Sequence, residues 1–177
     1  MLEALAIVRQ QYPDTEIAVT GRSFLAGDIK SLARQNGYEK YLRHLVKRNR
    51  LDGAVHFLGH LSAQDMKQAY LEANVFVLCS TMENSPNALG EAMLLGLPCV
   101  AAEVGGVSSL IGSQEGILCA PVNPAAMAEG ICRVFSMEDQ AEAMGAAARN
   151  RARKTHDPEK NMKDLMDIYR LLSGKER

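Results

Sequence analysis

The sequence predicts an α/β domain with a mainly parallel sheet, and three observations point to it. Short runs rich in Val, Leu and Ile alternate with longer amphipathic ones along the chain. Several of the short runs lack polar alternation, as strands buried on both faces do. Gly, Pro, Asn and Asp bound them and mark the turns. Helix and strand alternating at this spacing build layers around parallel strands.

The expected strands are Ile17–Thr20, Val55–Leu58, Val75–Cys79, Cys99–Ala102 and Gly116–Cys119. Helices fill the gaps. Leu2–Arg9 keeps Leu2, Leu5, Ala6 and Val8 mostly to one side, and Tyr38–Arg48 gathers Tyr41, Leu42, Leu45 and Val46 into a stripe. Ser62 and Asp65 form a capping pair before Met66–Glu72. Asn123-Pro124 opens Ala125–Phe135, and Asp157-Pro158 opens a last helix carrying Met162, Leu165, Met166, Ile168 and Tyr169. With 177 residues, no repeat and no linker, residues 1–177 read as a single domain. The chain opens directly into a helix, with no strand ahead of it.

Composition excludes several classes. The apolar fraction of 47% and charged fraction of 23% are those of an ordinary globular protein, and a net charge of -1 gives no reason to expect a nucleic-acid partner. Two basic clusters, Lys40–Arg50 and Arg149–Lys154, sit in polar segments that read as helical. Solvated faces are the main reading of both, and peripheral contact with a membrane surface the lesser one. The four cysteines, Cys79, Cys99, Cys119 and Cys132, include no C-x-x-C pair. Three of them fall in or beside apolar runs, as small hydrophobes do in a reducing cytoplasm. No window is apolar enough to span a bilayer, and no signal-peptide pattern opens the chain. The expected setting is therefore the cytoplasm, with the inner face of the membrane as the variant that the basic clusters allow.

The stretch TMENSPNALGEAMLLGLPCVA, Thr81–Ala101, carries the functional signal. Ligands of open parallel sheets collect at the carboxyl ends of strands, and this stretch follows a strand and enters a helix. Ser85 or Asn87 is the expected N-cap, Pro86 suits the first turn, and the free amides of Asn87, Ala88 and Leu89 would face an anion such as a diphosphate. Glu91 lies about one turn into the helix. It would repel a phosphate set directly beside it, so a ribose diol is its better partner. Glu83, before the turn, could accept hydrogen bonds from another polyhydroxy group. The competing reading makes Glu91 a dipole or capping-box residue and Glu83 a solvated loop charge.

These residues resemble the retaining, GT-B-type glycosyltransferases of family 4, the group 1 glycosyl transferases. Glu83-Asn-Ser-Pro-Asn87, Glu91-Ala-Met93 and Gly96-Leu-Pro98-Cys-Val100-Ala101 correspond to the family's paired-Glu region. Val55–Ser80, Gly105–Val107, Gly116–Ile131 and Tyr12–Gly21 extend the likeness over nearly the whole chain, in order. The resemblance implies a Rossmann-like three-layer α/β/α domain, half of a GT-B fold, that binds a nucleoside diphosphate sugar. On matching positions, Glu91 would hold ribose hydroxyls, Glu83 would contact the donor sugar, and Asn87 and Ala88 would hold sugar or diphosphate through their amides. Gly21 and the Gly59-His60-Leu61 turn would border the nucleotide. Such enzymes transfer a sugar with retained configuration to a saccharide or lipid-linked acceptor, without a bound cofactor or metal. The chain has no Asp-x-Asp motif, and its four His show no ligand spacing; His56, inside a strand, reads as structural.

Departures from the family pattern set further expectations. Its first strand, its Gly-Arg loop with a following Lys, and its N-terminal acceptor domain have no counterpart here. Ser109 replaces a frequent Glu and Cys79 a frequent Pro. The absent strand would lie between Ile17–Thr20 and Val75–Cys79. Unpaired groups there cost about 1–3 kcal/mol each when buried, so three outcomes are expected: the two strands close up, another chain supplies a strand, or a parent chain does. A homo-oligomer through the sheet gap is one partner expectation, and the missing acceptor domain is another. These residues alone are not expected to catalyse transfer; rival readings are a nucleotide-sugar binding module and an interaction-only fragment. A nicotinamide dehydrogenase is disfavoured, because Gly21-Arg-Ser-Phe-Leu-Ala-Gly27 lacks the G-x-G-x-x-G spacing.

Overall fold

The computed structural model describes residues 1–25 and 36–174, so Ala26 and Gly27 of the Gly21–Gly27 stretch lie outside the described residues. All five expected strands form: β1 (Ile17–Thr20), β2 (Val55–Gly59), β3 (Phe76–Leu78), β4 (Cys99–Ala102) and β5 (Ile117–Cys119). The helices are α1 (Leu2–Gln11), α2 (Gly37–Arg48), α3 (Ala63–Glu72), α4 (Asn87–Leu95), α5 (Val107–Leu110), α6 (Pro124–Ser136), α7 (Glu138–Thr155) and α8 (Pro158–Leu172). Three expected starts are made by the expected side chains. Ser62 accepts from the Asp65 amide, Asn123 from Ala126, and Asp157 from Glu159 and Lys160. Helix α3 begins three residues earlier than the apolar periodicity suggests, because the Ser62 cap sets its first turn. Helices α5 and α7 have no counterpart among the expected elements beyond the polar segment Arg149–Lys154.

The strands pair in parallel, but as two sheets. β1 pairs with β2, setting Ile17 opposite Val55. β3, β4 and β5 form the second sheet, with Phe76 opposite Cys99 and Val100 opposite Ile117. β1 and β3 do not pair, so closing up of these two strands, one of the three expected outcomes, does not occur. Helix α1 supplies the connection instead. Its Ala4 and Val8 pack with Val100, Ala102 and Ile131, whereas Leu5 packs with Val46, Leu51 and Val55. One helix thereby buries residues against both sheets, and backbone pairing between them is not what joins them.

Strand β4 shows the layering. All four of its residues are buried. Cys99 and Ala101 join a cluster with Leu89, Met93, Ala148 and Ala152, from α4 and α7. Val100 and Ala102 join the opposite cluster with α1 and α6. The two-residue period of a strand thus sends alternate side chains into two helical layers. This is the three-layer α/β/α arrangement that the resemblance implies.

Candidate functional site

The carboxyl end of β3 leads into the loop that carries Glu83, and a double glycine holds that loop in place. The Gly106 amide donates to the Glu83 carbonyl at 3.3 Å. A Cβ on Gly105 would stand 1.8 Å from the Glu83 carbonyl oxygen, and one on Gly106 would stand 1.9 Å from that of Asn84. Gly105 also has φ +50°, a conformation L side chains rarely adopt. Only glycine lets the two backbones come this close. Glu83 is half-buried, and its carboxylate has no hydrogen-bond partner among the described residues.

Helix α4 starts differently from the sequence expectation. Neither Ser85 nor Asn87 is the N-cap; Pro86 is, with no side-chain cap, and Asn87 is the first helical residue. The buried Pro86 ring fixes the chain's entry at φ −72°. Its carbonyl accepts from Leu89 at 3.1 Å and from Gly90 at 3.3 Å. The Leu89 amide is therefore engaged, and its side chain is fully buried, so Leu89 leaves the set of ligand-facing donors. The exposed Asn87 and Ala88 keep amides with no acceptor among the described residues. Two free N–H groups at a helix start remain an anion-binding arrangement.

Glu91 follows on the same helix, exposed, with one protein partner that the sequence reading did not find. The Tyr70 hydroxyl, from α3, lies 3.3 Å from Glu91 Oε2 and 3.3 Å from the Ala88 carbonyl. Burial, then the charge and hydrogen bond of Glu91, push the Tyr70 phenol up to about 12. Glu91 does not complete a capping box. It borders a cavity of about 440 Å³ between α3 and α4, whose wall includes Leu61, Met66, Lys67, Tyr70, Glu91 and Leu94. The usable signal for Tyr70 was chemical: a Tyr on an apolar stripe needs a partner for its hydroxyl.

The remaining expected residues divide. Leu61 lines the cavity, whereas Gly21, Gly59 and His60 lie outside its wall. Gly21 and Gly59 do meet at the ends of β1 and β2: the Gly21 amide donates to the Gly59 carbonyl at 2.8 Å, with φ +100° and +72°. Arg22 pairs with Glu39. His56 lies 3.0 Å from Glu16 at the surface. Among the described residues, no cluster of three His, Cys, Asp or Glu side chains could hold a metal ion, and no helix is long and apolar enough to cross a membrane.

Helix α4 is clamped from behind by α7. The Arg149 guanidinium donates to the Leu95 carbonyl at 2.6 Å, closing the carboxyl end of α4, and Gly96 turns the chain at φ +77°. A Cβ on Gly145 would lie 2.1 Å from the Gly96 carbonyl oxygen. The His156 ring occupies the space a side chain at Gly90 would need, its Nε2 2.3 Å from the Cβ position. Small residues on both helices thus let α7 fix the element that carries Glu91 and the free amides.

The model of the family "Glycosyl transferases group 1" matches residues 1–151. The chain belongs to the group 1 glycosyl transferases. It is 27% identical over 157 residues to a glycogen synthase of Mycobacterium tuberculosis, covering 88% of this chain and 34% of that protein. A solved sucrose-phosphate synthase of Thermosynechococcus elongatus superposes with a TM-score of 0.80 at 26% identity, over 98% of this chain and 42% of that one. Anabaena Alr3699/HepE, solved in complex with UDP and glucose, gives a TM-score of 0.73 at 22% identity, over 93% and 44%. That last likeness is one of fold alone. The group 1 chain spans 19–41% of the length of the curated relatives it matches. Its fold is the Rossmann-like half of a GT-B glycosyltransferase.

Proposed function

We propose that this chain is the donor-binding domain of a retaining glycosyltransferase, which holds a nucleoside diphosphate sugar for transfer to a saccharide or lipid-linked acceptor. The observation that carries the reading is the order of groups at one strand exit. A carboxylate (Glu83) and two amides (Asn87, Ala88) with no partner among the described residues, then a second carboxylate (Glu91), follow one another into α4, and Glu91 borders the cavity against α3. Sugar, diphosphate and ribose present the matching chemistry: hydroxyl donors, an anion, and hydroxyl donors again.

In this reading the Asn87 and Ala88 amides face the diphosphate at the positive end of α4. Charge there, already oriented, favours the departing diphosphate as the sugar leaves. Glu91 accepts from the ribose diol, and Glu83 from the sugar. The acceptor site and the cations that complete diphosphate binding belong to a partner domain or parent chain, and no cofactor or metal takes part. The complexes of Alr3699/HepE with UDP and glucose support the class of ligand.

Thermal stabilisation by UDP, ADP and GDP tests this. A ligand that binds only the folded chain stabilises it by RT ln(1 + [L]/Kd), about 2.7 kcal/mol at a hundredfold excess over Kd. One nucleotide should raise Tm, and Glu91→Ala should remove the rise. No rise from a folded sample, or an equal rise in the variant, would reject the reading.

A further inference from the structure

We infer that Tyr70 is a positioning residue for the donor site: its hydroxyl holds the Glu91 carboxylate in the orientation that accepts a ribose diol. The inference rests on the reading of Glu91 given above. Tyr70 lies in α3 and Glu91 in α4, 21 residues apart in sequence, and they share a cavity wall. The phenol has one proton and two acceptors, each at 3.3 Å: Glu91 Oε2 and the Ala88 carbonyl. Glu91 has no other hydrogen-bond partner among the described residues, and as an exposed side chain it would otherwise sample several rotamers.

Tyr70 itself is fixed. It is 9% exposed and its ring meets Phe76 edge-on at 5.9 Å. A donor anchored in this way can hold one carboxylate oxygen and leave the other, with spare lone pairs on both, for a vicinal diol. The second acceptor, the Ala88 carbonyl, keeps the phenol against the helix turn that precedes Glu91.

The test compares UDP, ADP and GDP with their 2′,3′-dideoxy forms, by calorimetry on the purified chain, in wild type, Tyr70→Phe, Glu91→Gln and the double variant. Tyr70→Phe keeps the ring and removes only the hydroxyl. The wild type should favour the ribo form by about tenfold, the scale of hydrogen bonds to a charged group. Tyr70→Phe should bring the ratio to within about twofold while leaving dideoxy binding unchanged, and the double variant should lose no more than Glu91→Gln alone. A merely structural role would weaken both forms equally. A ratio that vanishes in Glu91→Gln but persists in Tyr70→Phe overturns the inference and leaves the donor-site reading standing. A wild-type ratio near one overturns both. If Tyr70→Phe does not fold, phenol titration in Glu91→Gln decides: a lower Tyr70 pKa supports the coupling, and an unchanged one overturns it.

Discussion

Helices α4 and α8 form an instructive pair. By local signals α8 is the better helix: Asp157 caps two amides, Pro158 sits at its first position, and apolar residues recur along one face. Helix α4 has no side-chain cap at all. Yet α4 buries Leu89, Gly90, Ala92 and Met93, while α8 buries nothing, its large apolar side chains from Met162 to Leu172 being 43–78% exposed. Caps and periodicity make a helix, but only packing positions one. The candidate site residues Asn87, Ala88 and Glu91 sit on the helix that packing holds.

The largest effect that would break this comparison should come from the core side of α4. Met93→Ala removes a fully buried side chain and should cost about 2–5 kcal/mol in denaturant unfolding. The equivalent truncation on α8, Leu165→Ala, should stay within about 0.5 kcal/mol. Equal losses would mean that α8 is as well packed as α4.

Next in size is the glycine contact at Glu83. Gly106→Ala forces a methyl against the Asn84 carbonyl and should cost about 1–3 kcal/mol, lowering Tm by about 3–10 °C. It should also weaken ligands that reach Glu83 more than those that end at the diphosphate. An unchanged Tm would show that the loop moves freely and is not held by the double glycine.

Alkaline unfolding probes the buried groups around α4. Burial pushes the Cys99 thiol up to about 12, and Tyr70 reaches about 12 as well. Folded pKa values above the unfolded ones mean that this stability is complete below about pH 9–10, the ordinary thiol and phenol range. It is then lost as pH rises toward 12. Cys99→Ala should therefore flatten the fall of Tm between pH 9 and pH 12, the interval bounded by its unfolded and folded values. An identical profile would contradict the assignment.

The smallest effect sharpens the clamp. In Gly90→Ala the nearest group the new methyl meets is the His156 ring, a side chain that can turn away, so a loss of about 1 kcal/mol is expected. His156→Ala should restore it, a coupling that a double-mutant cycle measures directly. Additive losses would place the two residues out of contact.

Much of this molecule was legible in its sequence, for reasons that also mark the limit. Cys99–Ala102 could be read to the residue because a strand buried on both faces is continuously apolar. The caps at Ser62, Asn123 and Asp157 were readable because one side chain does the work locally. Helix α7 was not, since its buried side is small: Gly145, Ala148 and Ala152 carry little apolar signal, yet close approach to α4 requires them. The start of α4 was misread because a carbonyl and a buried proline replace the expected side-chain cap. Glu83, Glu91, Asn87 and Ala88 could be named from one stretch. Tyr70 could be marked only as a hydroxyl in need of a partner, because Glu91 is 21 residues away and only the fold joins them.

The most direct measurement is an amide NMR titration of the chain with the nucleoside diphosphate that stabilises it. The donor-site account predicts the largest shifts at the Asn87 and Ala88 amides, smaller ones through Gly59–Leu61, and none along α8. Shifts confined to α8 or scattered over the surface, with Asn87 and Ala88 unmoved, would contradict it.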